Sequence, residues 1–293
     1  MHLPDAHAFL QALSSGVLLG GLYAIAALGL SLALGVLRLV NLAHGEWVVL
    51  GSYLGYILLQ MTGIDPLLGL FLILPVVGVL AFAVQRVLLA PLRGAPSEAG
   101  LLTMFGLSVI SQNAFIIFFT GNTHAIGRSY GISAFQIGSI FVPRIYLISF
   151  VLALVVVGAV HVIIHRTGLG RQIRASAEDP EAAAVIGVPV DRVYAITLAI
   201  AGGCATIGGI LSGIAFSFTP TTGTVHLLTG FTIVVLGGLG SVTGTLMGGI
   251  AIGVIESLGA LIAGDGYREF IGLSVFLLFL GLRPQGIFGR KDR

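Results

Sequence analysis

The sequence has very little charge, and one long stretch of it has none. Only 9% of the 293 residues are Asp, Glu, Lys or Arg, and none of these occurs at positions 193–255, a run of 63 residues. Soluble domains carry about 25% charged residues. A single helix of this run would be roughly 95 Å long, against a hydrocarbon core of about 30 Å. The sequence therefore predicts an all-α polytopic membrane protein.

Other shortages exclude several classes of function. Cys204 is the only cysteine, which excludes an internal disulfide and a cysteine-based zinc site. A net charge of +2 with scattered basic residues argues against nucleic-acid binding. No catalytic triad, carboxylate pair or metal-ligand cluster stands out, and there is no Walker A motif. We therefore predict that the chain is not an enzyme, has no catalytic residue or metal site, and binds no cofactor itself.

Charge-free runs predict where the chain crosses the membrane. They cover residues 9–37, 47–64, 66–85, 99–127, 145–165, 194–218, 225–256 and 270–282. Glycines and Ser241 split the run 225–256 near residues 237–244. The prediction is therefore eight or nine transmembrane helices, some broken or re-entrant, in a single transmembrane domain of residues 1–293.

The basic residues predict the orientation of the chain. With nine crossings and the N-terminus outside, 11 of the 14 Lys and Arg residues fall on one side and 3 on the other. Cytoplasmic loops are enriched in Lys and Arg, so the side with 11 is predicted to be cytoplasmic. That side holds the C-terminus and the loop 166–192, while the loop 121–144 lies outside.

The loop 166–192 contains a candidate short helix. Pro180 fits the first turn of a helix with Asp179 as its N-cap, and Gly187 fits the position just after a helix end. The alanines at 182–184 favour helix between these two signals. A cytoplasmic helix of about two turns with small side chains can insert into a groove on a partner. The alternative is a solvated loop that only joins two membrane passes.

A polar break at residues 38–47 separates the first two apolar runs. Within it the pathway candidates are Asn41, His44, Gly45 and Glu46. Asn41 can cap a helix and Glu46 can lie in a helical first turn, so a half-helix could begin here near the midplane. The alternative is an interfacial turn anchored by Arg38 and Trp47.

A second break is rich in glycine. The string LGGLGSVTG at residues 236–244 lacks the Lys-Ser/Thr ending of a phosphate-binding loop. Glycines recur every fourth residue from 240 to 248, which is typical of closely packed membrane helices. We predict a packing role, and a pathway-lining helix break is the alternative. The candidates are Gly237, Gly238, Gly240 and Ser241.

Two further features of the apolar runs leave alternatives open. Glu256 is an intramembrane acid and hence a functional candidate, or else a partner of Arg268. Each half of the chain carries one break, but too little sequence matches between the halves to predict an inverted repeat.

Several strings together resemble one known family. They are GLYAIAALGLSL at 21–32, VNLAHGE at 40–46, GSY at 51–53, TMFGLS at 103–108, GRQIRA at 170–175, EAA at 181–183, GVPVDR at 187–192 and GGLGS at 237–241. In this order they are similar to bacterial branched-chain amino-acid ABC transporter permeases of the LivH type, in the LivH/LivM permease family. The resemblance covers nearly the whole chain.

The resemblance implies partners and a division of labour. It implies a second homologous permease subunit, two cytoplasmic ATPase subunits that bind ATP and Mg, a periplasmic substrate-binding protein, and surrounding lipid of the bacterial inner membrane. It also implies that the loop 166–192 carries a coupling helix for the ATPases. The coupling candidates are Arg171, Arg174, Glu178, Asp179, Glu181, Ala182, Ala183, Gly187 and Asp191.

Three alternatives to branched-chain amino-acid import remain at this stage. The same family includes urea and short-chain amide permeases with similar motifs. An ion-coupled secondary amino-acid transporter would need an ion site, for which only His44, Glu46 and Glu256 are candidates. A channel or a structural membrane subunit would have no evident use for a docking helix.

Overall fold

The computed structural model describes residues 5–282, and this range is built almost entirely of helices. The α-helices are α1 Ala6–Leu32, α2 His44–Thr62, α3 Pro66–Val84, α4 Ser97–Phe119, α5 Ser129–Ile132, α6 Arg144–Arg166, α7 Gly168–Glu178, α8 Pro180–Val185, α9 Val190–Ala215, α10 Gly223–Gly237, α11 Val242–Ala263 and α12 Arg268–Leu282. Irregular turns extend two of them: α1 continues through the π-helical turn Ala33–Leu37, and α3 through the π-helical turn Gln85–Leu89 and the 3₁₀ turn Ala90–Leu92. A further 3₁₀ turn, Asp265–Tyr267, precedes α12.

The predicted polytopic helical architecture is confirmed. Within residues 5–282, six helical segments are long and apolar enough to cross a membrane: Ala6–Leu37, Pro66–Leu92, Glu98–Phe119, Arg144–Arg166, Val190–Ala215 and Val242–Ala263. The helices α2, α10 and α12 belong to the same bundle but are shorter or less apolar. The count of eight or nine crossings therefore stays a prediction, whereas the break between α10 and α11 lies where the glycines placed it.

Glycines form the contacts at the centre of the bundle. Gly20 of α1 lies against the backbone of Ile250 in α11, and Gly29 of α1 lies against Ala201 in α9. A Cβ at either glycine would overlap the neighbouring backbone. Small residues allow such close approach, and without them the apolar helices would have no strong reason to associate in lipid. The glycine content of the sequence thus reflects tight helix crossings.

The two halves of the bundle repeat each other in opposite directions. α1 and α9 cross antiparallel, and each is followed by a break and a helix that runs back, α2 and α10 respectively. The ends of the first helices, Leu37 and Ala215, are 178 positions apart, and so are Gly45 and Gly223 at the starts of α2 and α10. The helices α6 to α8 connect the halves. This is the inverted-repeat topology that is common in transporters.

The segment between α4 and α6 contains structure that the sequence did not predict. A hairpin of β1, Ala134–Ile137, and β2, Ile140–Pro143, pairs antiparallel with Phe135 opposite Val142. The side chain of Gln11 in α1 accepts from the backbone nitrogen of Phe141 at 2.7 Å and holds the hairpin on the bundle. Within the described residues, this hairpin and an isolated antiparallel bridge between His124 and Phe218 are the departures from an all-α chain.

A polar cluster beside the hairpin fixes the start of α3. Asp65 caps this helix by accepting from the nitrogen of Leu67 at 2.9 Å. The hydroxyl of Tyr130 donates to the same carboxylate at 2.9 Å, and Arg128 lies 3.4 Å from it. Burial, together with this carboxylate, raises the pKa of Tyr130 above its usual value, so the phenol stays protonated and continues to donate.

Candidate functional site

The predicted short helix is present, and its ends are capped as the sequence indicated. α8 begins at Pro180, and Asp179 accepts hydrogen bonds from the nitrogens of Glu181 at 3.0 Å and Ala182 at 2.9 Å. At the other end Gly187 has a φ of 87°, and Val188 donates to the carbonyl of Ala183 at 3.0 Å. This is the Schellman arrangement, in which a left-handed glycine closes the helix.

A longer helix precedes α8, where the sequence indicated only a loop. α7 begins after Thr167, whose hydroxyl accepts from the nitrogen of Gly170 at 3.0 Å. Its one buried apolar face presents Ile173, which packs against Val36 of the π-helical turn of α1 and Val193 of α9. The charged residues on the other face of α7 are typical of a solvated loop, and for that reason the sequence did not predict this helix.

Two polar contacts also attach α7 to the membrane helices. Arg38 donates to the carbonyl oxygen of Glu178 at 3.2 Å, which joins the end of α1 to the end of α7. Arg174 donates to the carbonyl of Ile164 in α6. These contacts, together with the packing of Ile173, attach α7 to α1, α6 and α9.

The exposed tip of this segment is apolar. Val185 is 87% exposed and Ile186 is 77% exposed, whereas Ala183 is only 3% exposed and packs inward. The predicted coupling residues lie along α7, α8 and the first turn of α9: Arg171, Arg174, Glu178, Asp179, Glu181, Ala182, Ala183, Gly187 and Asp191. The predicted helix with small side chains is present, but its exposed tip is formed by two larger residues, Val185 and Ile186, which are branched and apolar.

A second site lies where the two half-helices begin. α2 runs parallel to α9 and α10 runs parallel to α1, so they leave the same point in opposite directions. Their first turns touch at Gly45 and Gly223, and a Cβ at Gly45 would overlap the carbonyl oxygen of Gly223. Both helix N-termini, each the positive end of a helix dipole, therefore meet inside the bundle.

Polar residues of the first break surround this meeting point. Glu46 lies in the first turn of α2 as expected, is only 5% exposed, and its Oε1 accepts from the Ser108 hydroxyl of α4 at 3.3 Å. Its Oε2 has no hydrogen-bond partner among the described residues. The Nε2 of His44 lies 2.8 Å from the carbonyl oxygen of Ala26 in α1. Gly223 and Ser108 were not predicted as site residues: Gly223 lies in an uncharged run, and Ser108 was noted only as the last residue of the string TMFGLS.

Two details of this segment differ from the sequence analysis. Asn41 does not cap α2: its Oδ1 accepts from the nitrogen of Ala43 at 3.1 Å in a turn before the helix, which begins at His44. Trp47 is not an interfacial anchor, because it is buried beside Gly202 of α9. The polar break is therefore drawn into the bundle and does not rest at its edge.

The glycine-rich break lies at the far end of α10, roughly 21 Å from Gly223 at 1.5 Å per residue. Ser241 caps α11 by accepting from the nitrogen of Gly244 at 3.0 Å. The turn residues Gly238 and Gly240 have φ values of 93° and 76°. A Cβ at Gly237 would overlap the Gly244 backbone. The two predicted pathway segments are thus not brought together, and the second one forms a tight turn.

Glu256 has a different partner from the one the sequence suggested. Tyr23 of α1 donates to its Oε2 at 2.7 Å, and the acid is buried between α1, α11 and α12. Arg268 instead donates to Asp265 at 3.0 Å. The contact between Tyr23 and Glu256 links the first and the second half of the bundle.

Comparison with known protein families assigns the chain to one of them. A family described as the branched-chain amino acid transport system permease component matches residues 12–281. The chain belongs to this family. Its members are permease subunits of transporters and not enzymes, in agreement with the sequence analysis.

Two of the relatives match along nearly their whole length. The high-affinity branched-chain amino acid transport system permease protein BraD of Pseudomonas aeruginosa is 30% identical over 303 residues, with 99% of each chain covered. The corresponding protein LivH of Salmonella typhimurium is 31% identical, with 97% of this chain and 96% of LivH covered. In fold, the chain resembles a solved structure of PsaBC from Streptococcus pneumoniae in complex with Fab. The TM-score is 0.52, with 14% identity, 97% of this chain and 95% of that chain covered.

Proposed function

We propose that this chain is the membrane-spanning permease subunit of an ABC importer for leucine, isoleucine and valine. The structural observation that supports the proposal best is α8, a capped helix with an exposed apolar tip that is attached through α7 to α1, α6 and α9. A groove on the ATPase that receives Val185 and Ile186 would bind α8. Movement of the ATPase would then reach the membrane helices through α7.

The substrate follows from the relatives. Proteins that match nearly the full length of the chain carry names for high-affinity branched-chain amino acid transport. Urea and short-chain amide import is the less favoured alternative. An ion-coupled transporter is disfavoured as well, because its candidate acids hold different partners: Glu256 accepts from Tyr23 and Glu46 from Ser108.

The family supports a set of partners for this chain. We propose that the chain assembles with two cytoplasmic ATPase subunits that bind ATP and Mg, a periplasmic substrate-binding protein, and a second homologous permease. We also propose that the chain forms one domain over residues 1–293. The exposed apolar side chains of α3 and α4, such as Phe71 and Ile117, suit contact with lipid of a bacterial inner membrane. The end of the bundle with α7 and α8 is then cytoplasmic and the N-terminus periplasmic.

The mechanism we propose is alternating access. Closure of the ATPases displaces α8, and α7 carries the displacement to Val36 in the π-helical turn of α1 and to Val193 in α9. These two helices cross at Gly29 and Ala201, beside the point where α2 and α10 begin. Their relative rotation shifts the half-helix junction around Glu46, and the pathway changes the side to which it is open.

Transport by the reconstituted complex tests this proposal. The chain, co-purified with its partner subunits, is placed in proteoliposomes with the binding protein outside and ATP inside. We expect uptake of labelled leucine that requires ATP, is inhibited by isoleucine and valine, and is not inhibited by urea or acetamide. Uptake that needs an ion gradient but no ATP would refute the proposal, and so would uptake that urea or acetamide inhibits.

The role of α8 is tested by variants at its tip. Val185→Asp and Ile186→Asp should lower ATPase co-purification and leucine uptake together, because each puts a charge where an apolar contact is expected. Val185→Leu and Ile186→Leu keep the apolar surface and are the matched controls. A substitution at Ala183, also a predicted coupling residue, would not test docking: in Ala183→Trp the new side chain would disturb the interior, because Ala183 packs inward. Equal activity of the Asp and Leu variants would remove the docking role from α8.

A further inference from the structure

A cavity of about 490 Å³ lies at the end of the bundle that carries α7 and α8. Its walls are the end of α1 with residues 38–40, the turns that extend α3, and the first turns of α4 and α9. The two π-helical turns found in the described residues, Ala33–Leu37 and Gln85–Leu89, both contribute side chains to the cavity wall. Such turns occur often at functional sites, and the volume is that of a typical small-molecule pocket.

The cavity combines an apolar wall with charges of both signs. Its apolar lining consists mainly of leucines, among them Leu37, Leu89 and Leu101. Two arginines and two acids complete it: Arg38, Arg93, Glu98 and Asp191. This balance suits a ligand that carries one positive and one negative group next to a branched hydrocarbon, and it disfavours a ligand with net charge.

Gln85 supplies an independent sign of a ligand. Its side chain lines the cavity and is only 3% exposed. Among residues 5–282, no donor reaches its Oε1. A buried acceptor without a partner costs free energy, which a donor in the cavity would recover. An ammonium group in the cavity would supply the missing donor.

The arginines differ in what they already bind. Arg93 is paired with Asp191 at 2.5 Å and lies over the ring of Tyr194 at 5.5 Å. Arg38 makes no ion pair with an acid in the described range and donates only to the carbonyl oxygen of Glu178. Its guanidinium can therefore also take up a carboxylate, with which arginine forms strong charge-assisted hydrogen bonds.

We propose that this cavity binds a small amino acid with a branched apolar side chain, with its carboxylate at Arg38 and its ammonium at Gln85 and Glu98. The nature of the side chain rests on the proposed function. Because Arg38 also holds α7, a bound amino acid stabilises one arrangement of the coupling segment. The imported amino acid then slows its own import once it accumulates on this side of the membrane.

Equilibrium binding tests the site directly. Labelled L-leucine is titrated onto the detergent-solubilised complex without its binding protein and without nucleotide. We expect saturable binding that is displaced by valine but not by leucinamide, which lacks the carboxylate, or by 4-methylpentanoate, which lacks the ammonium. No saturable leucine binding, or displacement by anionic phospholipid vesicles with no displacement by valine, would overturn the proposal.

Matched variants assign the binding to this cavity. Gln85→Leu and Arg38→Gln should each weaken leucine binding roughly tenfold, because each removes a hydrogen bond to a charged group. Gln60→Leu at the exposed end of α2 and Arg86→Gln on the exposed side of the α3 turn are the controls. Glu98→Gln, at an exposed position, serves as a second cavity variant if Gln85→Leu does not fold. Equal loss in cavity and control variants would overturn the assignment.

Transport separates this proposal from the proposed function. Wild-type proteoliposomes without internal leucine test the function alone. With internal leucine, uptake of labelled valine should slow in the wild type and stay fast in Gln85→Leu. Wild-type uptake that ignores internal leucine would overturn the regulatory site while leaving the importer intact.

Discussion

The substitution Gly45→Ala tests the contact between the two half-helices. Gly45 lies in the first turn of α2, and a Cβ there would overlap the carbonyl oxygen of Gly223 at the start of α10. Both partners are backbone, so no side chain can rotate to relieve the overlap. The two helix starts have to move apart, and the buried Glu46 between them loses its close packing.

The size of the effect follows from packing energetics. Forcing an extra methyl group into a packed interior costs about 1–3 kcal/mol. With an unfolding entropy of roughly 2.1 cal/mol/K per residue, the midpoint of thermal unfolding should fall by about 2–5 °C. Gly106→Ala in α4 is the matched control, since no described atom lies within 4 Å of a Cβ at that position. Alanine favours helix over glycine by about 1 kcal/mol, so the control should be unchanged or more stable.

The assay heats the solubilised variants and measures the remaining monodisperse protein by size-exclusion chromatography. Gly45→Ala should lose its peak at a lower temperature than both the wild type and Gly106→Ala. Leucine uptake should fall in Gly45→Ala as well, because the junction can no longer close. A Gly45→Ala protein as stable and active as the control would refute the contact between α2 and α10.

Three further predictions concern single hydrogen bonds and one backbone conformation. Tyr23→Phe leaves the buried Glu256 without its donor and should lower the free energy of unfolding by about 1–3 kcal/mol. The control is Tyr56→Phe, because the Tyr56 hydroxyl has no partner in the described range; equal thermal midpoints of the two variants would contradict the prediction. Gly187→Ala forces a side chain onto a φ of 87°, costs roughly 1–2 kcal/mol at the end of α8, and should reduce leucine uptake with little change in the thermal midpoint. Asp179→Ala removes a cap worth about 1 kcal/mol and should lower uptake, while Asp179→Asn keeps it; the reverse order would argue against α8 as an ordered element.

The sequence was sufficient for features that depend on local chemistry. The charge-free runs predicted the membrane helices, and Asp179, Pro180 and Gly187 predicted both ends of α8. Those signals are read from a few neighbouring residues, because caps and apolar runs form through local contacts. Turn residues alone were therefore enough to locate α8, whereas its coupling role rests on the family resemblance and stays a prediction.

Features that depend on distant contacts were beyond the reach of the sequence. The sequence placed a break between residues 218 and 225, but nothing in it marks Gly223 as the residue that lies against Gly45. α7 was missed because only Ile173 and its two neighbours in space distinguish it from a solvated loop. The inverted repeat shows in helix boundaries and directions, while the sequences of the two halves match too little to reveal it.

Crosslinking from α8 tests directly whether this helix lies against an ATPase subunit. Replacing the buried Cys204 by alanine removes the only cysteine, so a single new one can be placed at Ala182 on α8 or at Ser139 in the hairpin turn. We expect a maleimide that carries a photoreactive benzophenone to join Ala182→Cys to an ATPase subunit in native membranes, because the benzophenone needs no cysteine on the partner. Ser139→Cys should stay unlinked to that subunit. A crosslink from Ser139→Cys to an ATPase subunit, or none from Ala182→Cys in a complex that still transports leucine, would show that α8 does not dock on the ATPase.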